Sequence, residues 1–378
     1  MRIFHTADVH VGRQFKELGS LGKTLRQQIR STFASLLRLA AEERTDLVVI
    51  AGDLFEVNHP DPSDVRFVLE SISAVDPLPV CLLPGTHDRY SANSIYRQSL
   101  FCQSMPHNLF LFAEEHAQSF YFPGLCLAVH GRANLTNQGG EPPLKDIRPH
   151  PDAAWNIAVA HASIARGDLD SDPEHDYYIG QADVERSGMD YIALGHWHKF
   201  EEYFPSTRAR VFYSGSPEAL QFKDRDRSGY FAEVRFEAGG IEVTQRRIGR
   251  YHWFEEQFSL DDQRGMPALR RRLQDLADPA HLVRLHILGH VSPTEPMPLE
   301  SLEEDHRGRF AHLQLRSALK PRLERDSVDG LFPRGTIGDT YVRLLAAQLS
   351  SAQPEQRALL EEVLRRGAAL LAGQEEVE

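Results

Sequence analysis

The sequence is short of cysteines, of long apolar runs and of basic residues, and each shortage excludes a class of protein. Its three cysteines, Cys81, Cys102 and Cys126, form no CxxC pair, which argues against a disulfide framework or a zinc ribbon and favours a reducing cytosol. The longest apolar stretches, such as LVVIAG, are far too short to cross a bilayer. The opening MRIFHTADVH lacks a charged segment followed by a long apolar one, so we expect no signal peptide and a cytoplasmic protein with no membrane partner.

The charge balance of the 378-residue chain is acidic, with a formal net charge of −12. This argues against a protein that coats nucleic acid through bulk electrostatics but leaves a local basic channel open. Histidine, in contrast, is abundant: several of the 18 histidines lie beside Asp or Gly at the ends of predicted strands and not on helix faces. That distribution indicates a metal site.

Apolar strands alternate with helical stretches at the start of the chain, which predicts repeated βαβ units. The stretch TLRQQIRSTFASLLRLAAEE has the spacing of a helix with one apolar face, which should lie on a sheet. Shorter strands follow, and from VFYSG through GYFAEVRF and IEVTQRRI the pattern is strand-rich. We expect these last strands to complete a second sheet, giving a two-sheet α/β domain.

The character of the sequence changes after this region, and we predict a domain boundary there. Residues 1–256 form the first predicted domain, residues 257–328 a small α+β accessory domain, and residues 329–378 a helical tail. The tail leucines either pack on the body or bind a partner helix.

Metal-type ligands follow predicted strands at separate places along the chain. They are Asp8-Val9-His10, Gly52-Asp53, Gly85-Thr86-His87-Asp88, His161 after IAVA, and Gly195-His196-Trp197-His198. Open α/β sheets place their sites beyond the carboxyl ends of strands, so we expect these residues to converge. A lone DxH is more often a satisfied polar pair, but the whole ordered set favours one site.

The ligand types indicate the kind of metal. A mixture of imidazole and carboxylate suits manganese, iron or zinc better than magnesium or calcium. Two such ions could clamp the attacking and leaving oxygens of a phosphoester while one generates hydroxide at neutral pH. Asp53 is the natural bridge between them.

With these motifs in order, the chain resembles the calcineurin-like metallophosphoesterases, whose signature is DxH, GD, GNH(D/E), H and GHxH. Within them it is most similar to the SbcD- and YhaO-type DNA repair exonucleases, the bacterial relatives of the Mre nuclease. The resemblance is carried by HTADVHVGRQF, GDLFE, PGTHD, GHWHK and YSGSPEALQFKDRDRSGYF. It implies a four-layer α/β/β/α sandwich, a capping domain that shapes a DNA groove, and a C-terminal segment that docks on an SMC-like ATPase.

The resemblance also implies roles for single residues. Asp8, His10, Asp53 and His198 would hold one metal, and Asp53, His161 and His196 a second, completed by the family's Asn position. His87 would protonate the leaving oxygen or stabilise charge at the phosphate, and Asp88 could orient His87. We expect two divalent ions, with Mn²⁺ first and Fe²⁺ or Zn²⁺ as alternatives.

The chain departs from the family's pattern at two positions. Thr86 replaces the metal-binding Asn, and a hydroxyl is a shorter and weaker donor than an amide oxygen, so we expect a second metal position that is weak, water-filled or selective for another metal. Glu56 stands where archaeal relatives have His, and we expect no direct phosphate contact there because a carboxylate repels phosphate.

Basic and aromatic residues near the strand-end loops could contact DNA phosphates: Arg13, Arg89, Tyr90, Lys199, Lys223, Arg225 and Arg227. The last three alternate with Asp224 and Asp226, so a solvated turn is as good an interpretation of this segment as a phosphate contact.

Three functions are therefore open. The first is a metal-dependent DNA nuclease, using hydroxide attack at a two-metal site and working with DNA and an SMC-like ATPase, with a homodimer left open. The second is a small-molecule phosphodiesterase or nucleotidase. The third is a DNA- or ATPase-binding subunit whose catalysis is weakened at Thr86.

Overall fold

Parallel strands linked by helices occupy the start of the chain, as the alternating pattern predicts. The computed structural model describes residues 1–137, 139–165, 177–224, 227–261, 265–291, 298–321 and 332–371. The chain divides into two compact units, Met1–Trp253 and Phe254–Glu378. We call them unit one and unit two. The domain boundaries given above remain predictions.

Unit one contains most of the strands and the first helices. Its strands are β1 Arg2–Thr6, β2 Leu47–Ala51, β3 Val80–Leu83, β4 Leu109–Leu111, β5 Gln118–Phe122, β6 Leu127–Gly131, β7 Trp155–His161, β8 Ser163–Ile164, β9 Tyr178–Ile179, β10 Tyr191–Gly195, β11 Phe200–Tyr203, β12 Arg210–Ser214, β13 Tyr230–Glu237 and β14 Gly240–Arg247. Its helices are α1 Leu21–Glu42, α2 Pro62–Ser73, α3 Ser99–Ser104 and α4 Gln181–Ser187.

Two six-stranded sheets face each other in unit one, in the orders β14-β13-β1-β2-β3-β4 and β11-β12-β10-β7-β6-β5. Alternate residues of both sheets, such as Val49 of β2 and Val159 of β7, share one buried core. The other strand faces are also buried: Phe4 and Val48 are fully covered although they lie outside that core, and α1 and α2 each have a buried apolar stripe of the kind that covers a sheet. On the second sheet, α4 packs through Val184. The predicted four-layer α/β/β/α sandwich is therefore confirmed.

The hairpin of β13 and β14 is where the sequence analysis was wrong. These strands were expected in the second sheet, but β13 pairs antiparallel with β1 of the first, with Ile3 opposite Val234. The free side of β1 needs a backbone partner, which β13 supplies. The alternation of β13 fits this place, because Val234 and Phe236 enter the core between the sheets while Phe231 packs on Phe4 at a ring distance of 4.6 Å.

Unit two contains both strands and helices. Its elements are β15 His252–Ser259, which begins at the end of unit one, α5 Met266–Asp275, β16 His281–Val291, α6 Leu299–Arg307, β17 His312–Pro321, α7 Ile337–Ser351 and α8 Pro354–Leu371. The strands form one sheet in the order β15-β16-β17. In the described ranges, no helix is both long and apolar enough to cross a membrane.

The two tail helices pack on each other. Val342 and Leu349 of α7 form a small buried cluster with Leu364 and Ala368 of α8. The tail residues expected either to pack on the body or to bind a partner helix, among them Leu359, Leu360, Val363 and Leu364, are therefore divided. Leu364 is buried and Leu360 packs against the same cluster, whereas Leu359 is 68% exposed and Val363 is 41% exposed.

Candidate metal centre

The predicted ligands follow the carboxyl ends of parallel strands in both six-stranded sheets. Asp8 and His10 follow β1, Asp53 follows β2, and the loop after β3 carries Thr86 and His87. In the second sheet His161 is the last residue of β7, and His196 and His198 follow the neighbouring β10. Because parallel strands end at the same edge of a sheet, the fold brings these loops to one place in unit one.

Asp53 lies at the centre of this place. Its Oδ2 is 3.2 Å from Nε2 of His161 and 3.8 Å from Nε2 of His10. The Thr86 hydroxyl is 3.4 Å from the same oxygen, and the backbone N–H of His87 donates a hydrogen bond to Oδ1 at 2.8 Å. One carboxylate therefore faces ligands from three other strand-end loops.

Sets of three residues bring ligand atoms within 4.8 Å of one another here: Asp8, His10 and His198; Asp8, Asp53 and His161; and His10, Asp53 and His87. Among the described residues, His196 belongs to none of these sets. Its ring centre lies 5.2 Å from that of His161, and its backbone N–H donates to the Asp8 carboxylate at 3.0 Å. His87 was predicted as a proton donor and not as a ligand, but it lies within reach of both His10 and Asp53.

Two ring nitrogens carry the strongest sign of a metal. Nε2 of His10 and Nε2 of His161 are buried without a hydrogen-bond partner in the described part of the chain. The opposite nitrogens are occupied: Nδ1 of His10 donates to Glu56 at 2.8 Å, and Nδ1 of His161 donates to the Ala51 carbonyl at 2.9 Å. Metal-ligating histidines have this arrangement, with one nitrogen held and the other free. The residues present therefore fit a divalent ion.

The charges of the site are strongly coupled. Burial alone would raise the pKa of Asp53, but His161, and then His10 and His87, hold that pKa well below its ordinary value. Burial works against protonation of His161, and the neighbouring Asp53 raises the pKa of this imidazole to about 10. The buried carboxylate thus stays ionised beside the protonated His161, and a divalent ion can take over this charge-balancing role with release of the proton.

The backbone of the site lies in an uncommon region. Asp8, His10 and Asp53 have φ angles of 54°, 53° and 51°, and His196 has 105°. Non-glycine residues rarely adopt positive φ, and such strain concentrates at functional sites. Four of the predicted ligands share this feature, which the sequence did not indicate.

Two glycines permit the close approach of the loops. A Cβ on Gly85 would lie 2.2 Å from Oδ1 of Asp53, and a Cβ on Gly52 would lie 2.3 Å from Nδ1 of His161. Side chains at these positions would occupy the space of the ligands themselves. The glycines of the GD and PGTHD motifs are therefore steric requirements of the site.

The Asp88 carboxylate, predicted to orient His87, is bound by other groups. It accepts hydrogen bonds from the N–H groups of Phe55 and Gly85 and from the Tyr96 hydroxyl, and its pKa is raised by burial and by the nearby Asp53. His87 instead donates Nδ1–H to the Glu56 carbonyl at 2.8 Å. Asp88 is fully buried and anchors the loop, because its carboxylate satisfies backbone donors that would otherwise be orphaned.

The residues predicted to contact DNA are only partly available. Arg13 donates hydrogen bonds to Glu56 and to the Leu220 carbonyl, each at 3.2 Å, so its guanidinium is engaged by groups of the protein itself. Lys199 pairs with Glu201 and lies 4.7 Å from the Trp197 ring centre. The other predicted contacts are half-buried Arg89 and Tyr90, exposed Lys223 and Arg227, and Arg225, which lies outside the described residues.

Sequence reasoning assigned no supporting role to the residues that contact the predicted ligands. Glu56 and Asp224 lie beside His10 and His198, and the Ser216 hydroxyl donates to the Asp8 carbonyl at 2.7 Å. A carboxylate close to GD could have been read as a partner for a ligand histidine. No local signal marks Asp224 or Ser216, because their contacts depend on how distant loops meet.

The comparisons with known proteins each match more than half of this chain. The sequence profile of the calcineurin-like phosphoesterases matches residues 1–200, more than half of the chain. The DNA double-strand break repair protein Mre11 of Methanopyrus kandleri is 26% identical over 401 residues, covering 97% of this chain and 82% of that protein. The uncharacterized metallophosphoesterase YhaO of Bacillus subtilis is 26% identical over 291 residues, covering 73% and 67% respectively. The crystal structure of TT1561 of Thermus thermophilus aligns with 65% of this chain and 98% of its own at 13% identity and a TM-score of 0.40.

We predict that Gly85→Ala abolishes metal binding, because the added methyl group would displace the Asp53 carboxylate that lies 2.2 Å away. Gly124→Ala is the matched control, since nothing lies within 4 Å of a Cβ at that position. Manganese bound per chain should be measured by elemental analysis after desalting, beside the melting temperature of both variants. A Gly85→Ala protein that retained the metal content of the control would show that the loop spacing does not define the site.

Proposed function

The chain belongs to the calcineurin-like phosphoesterase family, and we propose that within it the protein is a metal-dependent DNA nuclease that hydrolyses phosphodiester bonds. One observation carries this proposal: the buried Asp53 carboxylate faces the Nε2 atoms of His10 and His161, at 3.8 and 3.2 Å, at the carboxyl ends of strands from both sheets. DNA is the proposed substrate because the alignment with Mre11, named as a DNA double-strand break repair protein, covers 97% of this chain.

Two sets of ligands surround Asp53, and we name them by position. In this proposal position one consists of Asp8, His10, Asp53 and His198, and position two of Asp53, Thr86, His161 and His196. The proximity of Asp8, His10 and His198, of Asp53 and His161, and of Thr86 to Asp53 supports this assignment, and His196 is included because its ring lies 5.2 Å from that of His161. Divalent ions bound there would polarise a phosphoryl oxygen and lower the pKa of water. The imidazole and carboxylate donors favour Mn²⁺, with Fe²⁺ and Zn²⁺ as alternatives.

His87 is the proposed proton donor to the leaving oxygen. Its side chain is exposed at the mouth of a cleft lined also by Val57, His59 and Arg89. Because Nδ1–H is bound to the Glu56 carbonyl, the ring is held in one orientation and Nε2 is the atom available to a phosphate oxygen. A charged imidazole at this point would also stabilise negative charge that develops on the phosphate.

An SMC-like ATPase is the proposed partner, and the tail is its proposed binding segment. Leu344 of α7 and Leu359 of α8 are 63% and 68% exposed although both helices have buried faces that pack on each other. Apolar residues left outside such a packed pair are typical of a surface that receives another helix.

The proposed activity predicts a specific response to His87→Ala. Hydrolysis should fall roughly 10²- to 10⁴-fold, the usual scale for a lost proton donor, while manganese binding persists. Hydrolysis of linear duplex DNA, single-stranded DNA and bis-p-nitrophenyl phosphate should be compared with manganese present. His107→Ala is the control, because the His107 side chain is exposed and contacts only Asp76 among the ion pairs of the described residues.

The substrates separate the competing functions. Cleavage of DNA that depends on His87 supports the nuclease. If the small ester were hydrolysed while both DNA substrates stayed intact, with and without an ATPase partner, the protein would be a small-molecule phosphodiesterase and the proposal would be wrong.

Thr86→Asn tests position two. The amide oxygen should reach further than the Thr86 hydroxyl, which already lies 3.4 Å from Asp53 Oδ2, and bind the second ion more tightly. Activity at limiting manganese should therefore rise, while activity at saturating manganese changes little. A wild type inactive at every concentration, beside an active Thr86→Asn variant, would indicate a binding subunit with weakened catalysis. Identical titrations would place residue 86 outside the coordination sphere.

A further inference from the structure

The two histidines of position one have carboxylates on their outer sides. Nδ1 of His10 lies 2.8 Å from Oε2 of Glu56, and Nδ1 of His198 lies 3.6 Å from Oδ1 of Asp224. In both cases the carboxylate lies beside Nδ1, as a hydrogen-bond partner at His10 and as an ion-pair partner at His198, which leaves Nε2 as the atom expected to bind the metal. Position one thus has a charged partner behind each imidazole.

Both carboxylates are connected to the same backbone residue. The Leu220 N–H donates to Oδ2 of Asp224 at 3.0 Å, while the Leu220 carbonyl accepts from Nε of Arg13 at 3.2 Å. Arg13 in turn donates to Oε1 of Glu56 at 3.2 Å. Leu220 is fully buried, so this chain of contacts joins the loop after β1, the loop after β2 and the segment before β13 at a rigid point. We call Arg13, Glu56, Leu220 and Asp224 the support network.

His161 of position two is supported by a neutral group. Nδ1 of His161 donates to the neutral carbonyl of Ala51 at 2.9 Å. A carboxylate partner fixes the tautomer of a ligand histidine and makes the ring more basic, whereas a carbonyl fixes the tautomer with less effect on basicity. His10 and His161 therefore differ in the charge of the group that binds Nδ1, and Glu56 and Asp224 contact histidines of position one.

We propose that Glu56 and Asp224 are positioning residues that orient His10 and His198 and strengthen metal binding at position one selectively. This inference rests on the metal centre of the proposed function. It also gives Glu56 a role that a phosphate contact does not supply: its negative charge acts on a ligand ring and not on the substrate.

A purely structural role is the competing explanation. The Arg13 and Glu56 side chains are 24% and 21% exposed, and partly exposed ion pairs contribute little to folding. If the network served only to hold loops together, its loss would lower the melting temperature of the metal-free protein and leave metal affinity at an undisturbed site nearly unchanged. Affinity and melting temperature therefore have to be measured on the same samples.

The test is a calorimetric titration of the metal-free, full-length protein with Mn²⁺. Glu56→Gln and Asp224→Asn keep the side-chain size and remove the charge. We expect each to weaken one of two binding steps by roughly 10- to 100-fold and to leave the other step within about twofold. Glu202→Gln is the matched control, because Glu202 is a half-exposed carboxylate of unit one that pairs with Arg210.

The outcomes distinguish the inference from the function on which it rests. Two unchanged steps in the Glu56→Gln, Asp224→Asn double variant, in a wild type that binds Mn²⁺ and cleaves DNA, would overturn the inference alone. Equal weakening of both steps would overturn the selectivity for position one. A wild type that bound no Mn²⁺ would overturn the metal centre and the inference together. Should a single variant fold poorly, Arg13→Met, which cuts the link between Glu56 and Leu220, is expected to weaken the same step.

Discussion

The structure of unit one depends on keeping a buried carboxylate ionised. Asp53 is 2% exposed, and an isolated charge in such a place would cost far more free energy than folding supplies. The His10 and His161 rings and the backbone N–H of His87 lie around this negative charge. These groups belong to loops and strand ends of both six-stranded sheets. The sandwich therefore positions imidazoles and hydrogen-bonding groups around one carboxylate, and a divalent ion can supply the positive charge that this carboxylate requires.

Bringing four loops to one carboxylate has a conformational cost. Asp8, His10 and Asp53 adopt positive φ, and Gly85 approaches Asp53 so closely that no side chain fits. Strain of this kind persists only when the surrounding structure determines the conformation. Here the determination comes from the regular strands below and from the support network, whose contacts cross between distant parts of the sequence.

The sequence predicted what depends on local pattern. Strand and helix periodicity indicated a two-sheet α/β domain, and the family resemblance implied the sandwich. Ligands that directly follow strands in the sequence had to meet once the strands ran parallel. Contacts that depend on register or on distant loops were not accessible. The β13–β14 hairpin has a pattern suitable for either sheet, and only the free edge of β1 decides between them. Asp88 stands next to His87 in sequence but turns towards the backbone of Phe55 and Gly85, and Asp224 reaches His198 only through a loop whose course the sequence does not reveal.

The account makes Asp53 the shared ligand of both metal positions, and the metal content of an Asp53→Ala variant tests this most directly. Elemental analysis of the desalted protein, together with circular dichroism to establish folding, would give manganese per chain. We expect a folded variant with both positions nearly empty, because each would lose a ligand and the ions their common negative charge. A folded Asp53→Ala protein that retained the wild-type manganese content would contradict the shared ligand and the arrangement of the site built around it.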